Sequence, residues 1–206
     1  NNIGGTYAIY PYLKFADAAG NALAVPGQLR EGYVDTAGGG RLLDWHYRPL
    51  DELRNANNVI RLSDWRLNVG LHYMVGKGWQ VRALYQYGQG SSDQQNLQSL
   101  QTYYTRYLIN EFTQTDPSGQ LSYPVPVGGI LDETLSSYQS HNGRLQVEYH
   151  PVLRDDHDLH MLAGTELQDV ENRTKVSRIY GYNNASQSGL PVSSYTTLYP
   201  QYSSPG

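Results

Sequence analysis

The sequence has no cysteine. Disulfide staples and thiolate metal sites are therefore excluded. It has no excess of positive charge. The formal net charge is −4, which gives no electrostatic case for binding a polyanion, so no nucleic acid partner is expected. It has no apolar run approaching the length of a membrane-spanning helix. Phenylalanine is nearly missing, with two residues against nineteen tyrosines. Tyrosine carries an apolar body and a polar tip, which suits membrane interfaces and sugar-facing surfaces alike. No phosphate-binding loop, dinucleotide fingerprint or nucleophile elbow is present, so no cofactor is expected.

What the sequence does have is alternation. Trp65, Leu67, Val69, Leu71, Tyr73 and Val75 alternate with Arg66, Asn68, Gly70, His72 and Met74. After Gly76-Lys77-Gly78, Trp79, Val81, Ala83, Tyr85 and Tyr87 alternate with Gln80, Arg82, Leu84, Gln86 and Gly88. Period-two patterning puts each set on its own face of a sheet. A three-residue turn pairs Val75 with Trp79, Tyr73 with Val81, Leu71 with Ala83, Val69 with Tyr85 and Leu67 with Tyr87. Every pair is apolar, so turn and pattern specify one register.

The apolar face has aromatics at both ends and aliphatics between, the pattern a bilayer asks of a transmembrane strand. Eleven residues from Trp65 to Val75, at about 3.3 Å each and tilted about 45°, span roughly 25 Å. The odd residues from Trp65 to Tyr87 are thus expected to face lipid. Arg66, His72 and Arg82 are expected to face a wet lumen. The pattern recurs downstream. Gly143, Leu145, Val147 and Tyr149 alternate with Arg144, Gln146, Glu148 and His150. Leu159, Met161, Ala163, Thr165 and Leu167 alternate with His160, Leu162, Gly164, Glu166 and Gln168. Arg144, Glu148 and Glu166 join the lumen set.

The expected fold is all-β: an antiparallel transmembrane β-barrel segment of two long hairpins with long extracellular loops. Residues 1–57 are read as a loop region, 58–88 as a hairpin, 89–140 as a long loop, 141–169 as a hairpin and 170–206 as a loop. Turn signals lie at Ala16–Asn21 and Gly38–Gly40, and Arg48–Leu53 reads as a short helical turn. Within 89–140, Ser92 and Gln95 suggest a capping box. Leu97, Leu100, Tyr104, Leu108 and Phe112 follow at helical spacing. A helix over 92–113 is expected, ended by Asp116-Pro117-Ser118-Gly119. Short turns alternating with long connections are the rule for outer-membrane barrels. The chain begins Asn1-Asn2-Ile3 without a leader and is read as an excerpt of a longer protein, because four strands cannot close a barrel.

Several stretches, in order along the chain, resemble the SusC/RagA family of TonB-dependent outer-membrane transporters of Bacteroidetes. They are Tyr10–Asp17 with Gly20-Asn21 following, Leu42-Leu43-Asp44-Trp45, Leu100–Asn110, Val127–Asp132 and Arg178–Asn183. The resemblance implies a plugged barrel of about 22 strands in the bacterial outer membrane. It also implies a SusD-like surface lipoprotein as lid, TonB acting through a plug region that this stretch lacks, and an oligosaccharide or peptide as substrate. Capture by loops and lid, then TonB-driven plug rearrangement, involves no covalent chemistry, so no enzyme activity is expected.

Loop aromatics are the candidate contacts for substrate or lid: Trp45, Tyr47, Tyr103, Tyr107, Tyr180 and Tyr182. Loops carry binding residues disproportionately, but the same rings could simply stabilise their own loops. Tyr104 sits on the helix's apolar stripe and is set aside. His150, Asp155, Asp156, His157, Asp158 and His160 form the densest ligand-like cluster. A solvated periplasmic turn accounts for them better than a metal, since His157 and His160 would point to opposite faces. Glu148 and Glu166 are not held at the separation glycoside hydrolysis needs. The sequons at Asn172 and Asn184 carry little weight in a bacterial protein. The rival reading is a soluble all-β carbohydrate-binding module, which calls for short, evenly spaced strands.

Overall fold

The structure is a computed structural model that describes residues 12–153, 157–191 and 200–202. It is dominated by antiparallel strand. Four long strands form one sheet in the order β1-β2-β5-β6. They are β1 (Ala56–Gly76), β2 (Trp79–Gln98), β5 (Gly129–Tyr149) and β6 (Met161–Tyr182). Two short strands, β3 (Gln114–Thr115) and β4 (Leu121–Ser122), make a separate hairpin around the Asp116–Gly119 turn. Among the described residues there are also three α-helices, α1 (Glu31–Thr36), α2 (Pro49–Asn55) and α3 (Tyr103–Phe112), and a 3-10 turn at Ala37–Gly40. The chain divides into two compact units. A sheet unit comprises Ile60–Gln94 and Thr134–Val176; a loop unit draws on Asn1–Val59, Gln95–Glu133 and Ser177–Gly206.

In the sheet unit the first hairpin turns at Lys77-Gly78. With Gly76 before them, all three turn residues have positive φ, 89°, 50° and 87°, the region where glycine is favoured. Gly78 is needed for space as well. A Cβ there would lie 2.2 Å from the His150 carbonyl oxygen, and His150 N–H donates to the Gly78 carbonyl at 2.8 Å. Gly78→Ala is therefore expected to loosen both the turn and its junction with the end of β5. Thermal denaturation should show a cost of at least about 1 kcal/mol, since alanine is strained at positive φ. Higher in the hairpin, Leu84 Cδ2 lies 3.1 Å from where a Cβ on Gly70 would be, and Arg66 Cγ lies 3.9 Å from that point on Gly88. Both are facing pairs that the expected register demands.

The strands are much longer than the sequence suggests. The alternating stretches end near Tyr87 and begin near Gly143, yet β2 runs to Gln98 and β5 starts at Gly129. The second hairpin extends from Gly129 to Tyr182, well beyond 141–169, and the first part of the expected loop 170–206 is the end of β6. The added residues, such as Ser91-Ser92-Asp93-Gln94-Gln95-Asn96, are polar at every position. A strand whose side chains are polar on both faces leaves no period to read.

The expected helix over 92–113 is corrected for the same reason. Ser92 and Gln95 form no capping box: they lie in β2, and the Gln95 amide donates to Glu133 at 3.2 Å. The helix is confined to Tyr103–Phe112. Its buried face is also not the expected stripe. Thr102, Thr105, Arg106, Ile109, Asn110 and Thr113 are buried, whereas Tyr104, Leu108 and Phe112 are half-exposed.

That polar face belongs to the loop unit, where it fastens main chain. Asn110 accepts from Leu43 N–H at 3.0 Å and donates to Leu43 C=O at 2.9 Å. Arg106 donates to the carbonyls of His46 and Gln101. The Glu52 carboxylate accepts from Tyr103 N–H, putting negative charge at the positive end of α3. Burial pushes the Glu52 carboxyl up and the Arg106 guanidinium down. Asn110→Ala leaves both Leu43 groups without these partners in a buried setting. It should cost about 1–3 kcal/mol per unsatisfied group, read as lost amide protection at residues 42–46.

Against α3 sits a small core of Leu29, Ala37 and Trp45, flanked by Tyr33, Val34, Leu42, Tyr103, Tyr107 and Tyr202. The segment 12–55, read as loop with one helical turn, contains α1 as well as α2. The Ala16–Asn21 turn is present, with the Asp17 carboxylate accepting from the backbone N–H of Ala19 and Asn21.

Candidate functional site

The two faces of the sheet unit differ in chemistry, and side-chain contacts fix which residues share each face. On the odd face, Trp65 meets Tyr87 edge-on at 5.4 Å and Tyr87 meets the His141 ring at 5.0 Å. Tyr85 shares a 2.7 Å hydrogen bond with His141 Nδ1. At the other end of the same face, Trp79 stacks on Tyr149 at 4.3 Å. Between these aromatic ends lie Leu67, Val69, Leu71, Tyr73, Val75, Val81, Ala83, Leu145 and Val147. Leu71, in the middle, is 65 % exposed, and its neighbours Val69 and Tyr73 are comparably bare. Among the described residues no second layer covers this face. A face of this size and continuity left open is a functional signal.

The even face carries charged and amide side chains, with Met74, Leu84 and Leu162 exposed among them. Arg82 pairs with Glu148 at 3.2 Å. Asn142 donates to Glu166 at 3.1 Å. Arg66 pairs with Asp64 at 3.4 Å. His72 and Arg144 take even positions on β1 and β5. All six residues expected to face a lumen therefore share one face of the sheet.

The loop aromatics separate into two groups. Trp45, Tyr47, Tyr103 and Tyr107 are brought together, with ring centroids 5.3–5.7 Å apart from neighbour to neighbour. Trp45 is 2 % exposed and is also held by Tyr33 at 6.0 Å. Its expected role as a contact for ligand or lid is corrected: packing consumes the ring. Tyr180 and Tyr182 lie at the end of β6. Arg178 makes a bidentate pair with Asp132, Nε to Oδ1 at 2.5 Å and Nη2 to Oδ2 at 2.8 Å, and reaches Tyr104 Oη at 3.4 Å. The Asp132 bond, with a further bond to Tyr180, raises the Arg178 pKa and keeps it charged.

Tyr182 lines a groove of about 540 Å³ with Gln101, Asn183, Asn184 and Ser188. Ser99 also lines it, and its buried hydroxyl has no partner among the described residues. Backbone closeness shapes this groove. A Cβ on Gly128 would come within 2.6 Å of the Gly181 carbonyl carbon.

Around Trp45, charge fixes the loop. His46 Nδ1 meets Asp44 at 2.8 Å and Nε2 meets Asp35 at 3.2 Å. Burial raises the Asp44 carboxyl, but hydrogen bonds from Arg48 and His46 outweigh it and hold the group at about 2, below its ordinary 3.8. A depressed carboxylate stabilises the fold above its unfolded pKa and loses that effect as pH falls through the folded one. Asp44→Asn should flatten the acid dependence of the loop unit between about pH 4 and pH 2, followed by near-ultraviolet dichroism of the Trp45 cluster.

Of the turn cluster, Asp155 and Asp156 lie outside the described residues. His150 Nε2 meets Asp158 at 2.8 Å, and the His150 and His160 rings are 5.7 Å apart. No group of three metal-ligating side chains occurs among the described residues. No helix there is long and apolar enough to cross a membrane, which says nothing of strands.

Sequence reasoning missed His141 in the aromatic end and Tyr138 on the even face. His141 continues the odd series of Gly143, Leu145 and Val147, so its place was available from period alone. No protein-family model and no curated protein matches the chain.

Proposed function

We propose that these residues are part of a TonB-dependent outer-membrane transporter of the SusC/RagA type. The observation that carries the proposal is the odd face: an uncovered aliphatic band closed at both ends by cross-strand aromatic contacts. Lipid is the solvent that fits such a surface. The sheet is open, with β1 and β6 at its edges, and a bilayer tolerates spanning strands only when the edges are closed. Further strands of the parent chain supply that closure. The strands of 20–22 residues exceed the 9–11 or so that cross a bilayer, so their remaining lengths rise above the outer surface. The long connections there meet a SusD-like lipoprotein lid and capture an oligosaccharide or peptide. Tyr182 and its groove are the best-placed contacts, with Tyr47, Tyr103 and Tyr107 steadying the Trp45 loop. The even-face charges, including Arg82 with Glu148, face the lumen and the plug. The work is done by substrate capture and TonB-driven plug movement.

The test is the reading frame that contains these residues. A plug domain upstream, more alternating hairpins downstream and an adjacent lipoprotein gene are expected. A frame that holds this sheet alone would return the chain to a carbohydrate-binding module, whose bare apolar face would then need a protein partner.

A further inference from the structure

We propose that the wet face of the sheet unit carries a binding subsite for a neutral pyranose sugar, with Tyr138 as its stacking platform. This rests on the part of the functional reading that makes the even face the wetted one.

Tyr138 on β5 lies across β2 because Gly90 leaves the wall bare. A Cβ on Gly90 would come within 2.3 Å of Tyr138 Cε1 and 3.1 Å of Cζ. One ring face therefore covers glycine backbone, as aromatic rescue does in designed sheets. The hydroxyl reaches β1, where it donates to Asp64 Oδ1. Asp64 Oδ2 in turn accepts from Arg66 Nη2 at 3.4 Å. Gly88 makes the same room for Ser140, whose Oγ would be 2.6 Å from an added Cβ. The ring is thus fixed along one row of the sheet without a side chain beneath it.

Beside it opens a groove of about 410 Å³, within the range of small-ligand sites of about 300–1,000 Å³. Its remaining wall is rich in hydroxyls and amides, with Ser92, Ser136, Thr174, Asn172 and Gln86 among its members. The charged residues of the wall, Asp64 and Arg66, neutralise each other. That argues for an uncharged ligand that presents many hydroxyls. A pyranose offers an apolar C–H face for the ring and an equatorial belt of hydroxyls for the rim. A peptide fits less well. The groove's floor lies on β2 and β5, inner strands of the sheet, whose backbone groups are taken by neighbours, so a peptide cannot add there as a strand.

The experiment uses the parent protein that contains these residues, in zwitterionic detergent micelles. It is titrated with neutral hexasaccharides of glucose, mannose, galactose and xylose, beside a galacturonate hexamer and a hexa-alanine peptide. Saturation-transfer NMR reads contact with tyrosine ring protons. At least one neutral sugar is expected to bind. Tyr138→Leu, which keeps Gly90 covered but removes the platform, should weaken it about tenfold, and Tyr138→Phe by only about threefold. Circular dichroism checks the sheet, and should Tyr138→Leu fail to fold, Asn172→Leu with Thr174→Val reads the rim instead. No neutral sugar binding, preference for the peptide or the uronate, or full affinity in both the platform and rim variants would overturn the proposal. Sugar binding by a parent protein that does not insert into bilayers would sink the transporter reading and leave the groove standing. Insertion without sugar binding would do the reverse.

Discussion

On the proposed membrane reading, replacing Leu71 by Arg should lower the stability of the parent protein in lipid by about 2–4 kcal/mol, the cost of a basic side chain near the midplane of a barrel's lipid face. Leu71 is the right position because it lies between the two aromatic ends of the odd face and is open to its surroundings. Asn68→Arg on the same strand places its charge on the even face and should leave stability within about 0.5 kcal/mol of wild type. The comparison is made by urea titration of the parent protein in lipid vesicles. In a water-soluble module the two variants behave alike, since an arginine exposed to water on a sheet surface is tolerated.

The second large effect lies in the loop unit. Trp45→Ala should cost about 3–5 kcal/mol, the usual range for emptying a buried tryptophan site. The indole contacts Tyr33 and Tyr107 and sits with Leu29 and Ala37 in the core. Trp45 is the largest of the unit's buried apolar side chains among the described residues, the others being Val25, Leu29, Ala37, Ile109, Val125, Ile130 and Leu131. Hydrogen exchange should show lost protection across 29–47 and 102–113, with the amides of Trp65–Val75 unchanged. Tyr182→Ala, by contrast, leaves protection intact in both regions. On the proposed transporter reading it should weaken capture of the parent's substrate at the outer surface, measured by binding to whole cells.

The contrast between the two regions explains what could be read from sequence. Between Trp65 and Tyr87 the side chains alternate, the turn supplies Lys77-Gly78, and the paired residues match in kind. Local pattern, turn chemistry and pairing agree there, so the hairpin was legible. From Gly88 to Gln98 the strand continues without any alternation of polarity, since, Leu97 apart, both faces carry polar residues or glycine. Its length is set by pairing with β5, information the local sequence does not hold. α3 was misplaced for a related reason. Its buried stripe is Thr102, Thr105, Arg106, Asn110 and Thr113, polar residues satisfied in part by main chain far away in sequence. A search for apolar spacing selects the opposite side, through Tyr104, Leu108 and Phe112.

The candidate site shows the same limits. Trp45 and Tyr47 attracted attention as loop aromatics, yet packing alone decides that Trp45 is spent inside. Tyr138 drew none, because its role comes from Gly90 on a neighbouring strand. The pair Arg178 and Asp132 occupied two separate stretches of the resemblance, and only the β5–β6 register joins them.

The most direct test of the membrane reading is a nitroxide scan. Single labels are placed at each position from Arg66 to Met74 in the parent protein reconstituted in lipid vesicles. Collision with oxygen, which concentrates in lipid, is compared with collision with a water-soluble nickel chelate. The account predicts a two-residue period, with oxygen favoured at Leu67, Val69, Leu71 and Tyr73 and nickel at Arg66, Asn68, Gly70, His72 and Met74. The contradicting result is nickel access on the odd face. If Val69 and Leu71 collide with the chelate as readily as Asn68 and Gly70, that face meets water and these strands do not cross a membrane.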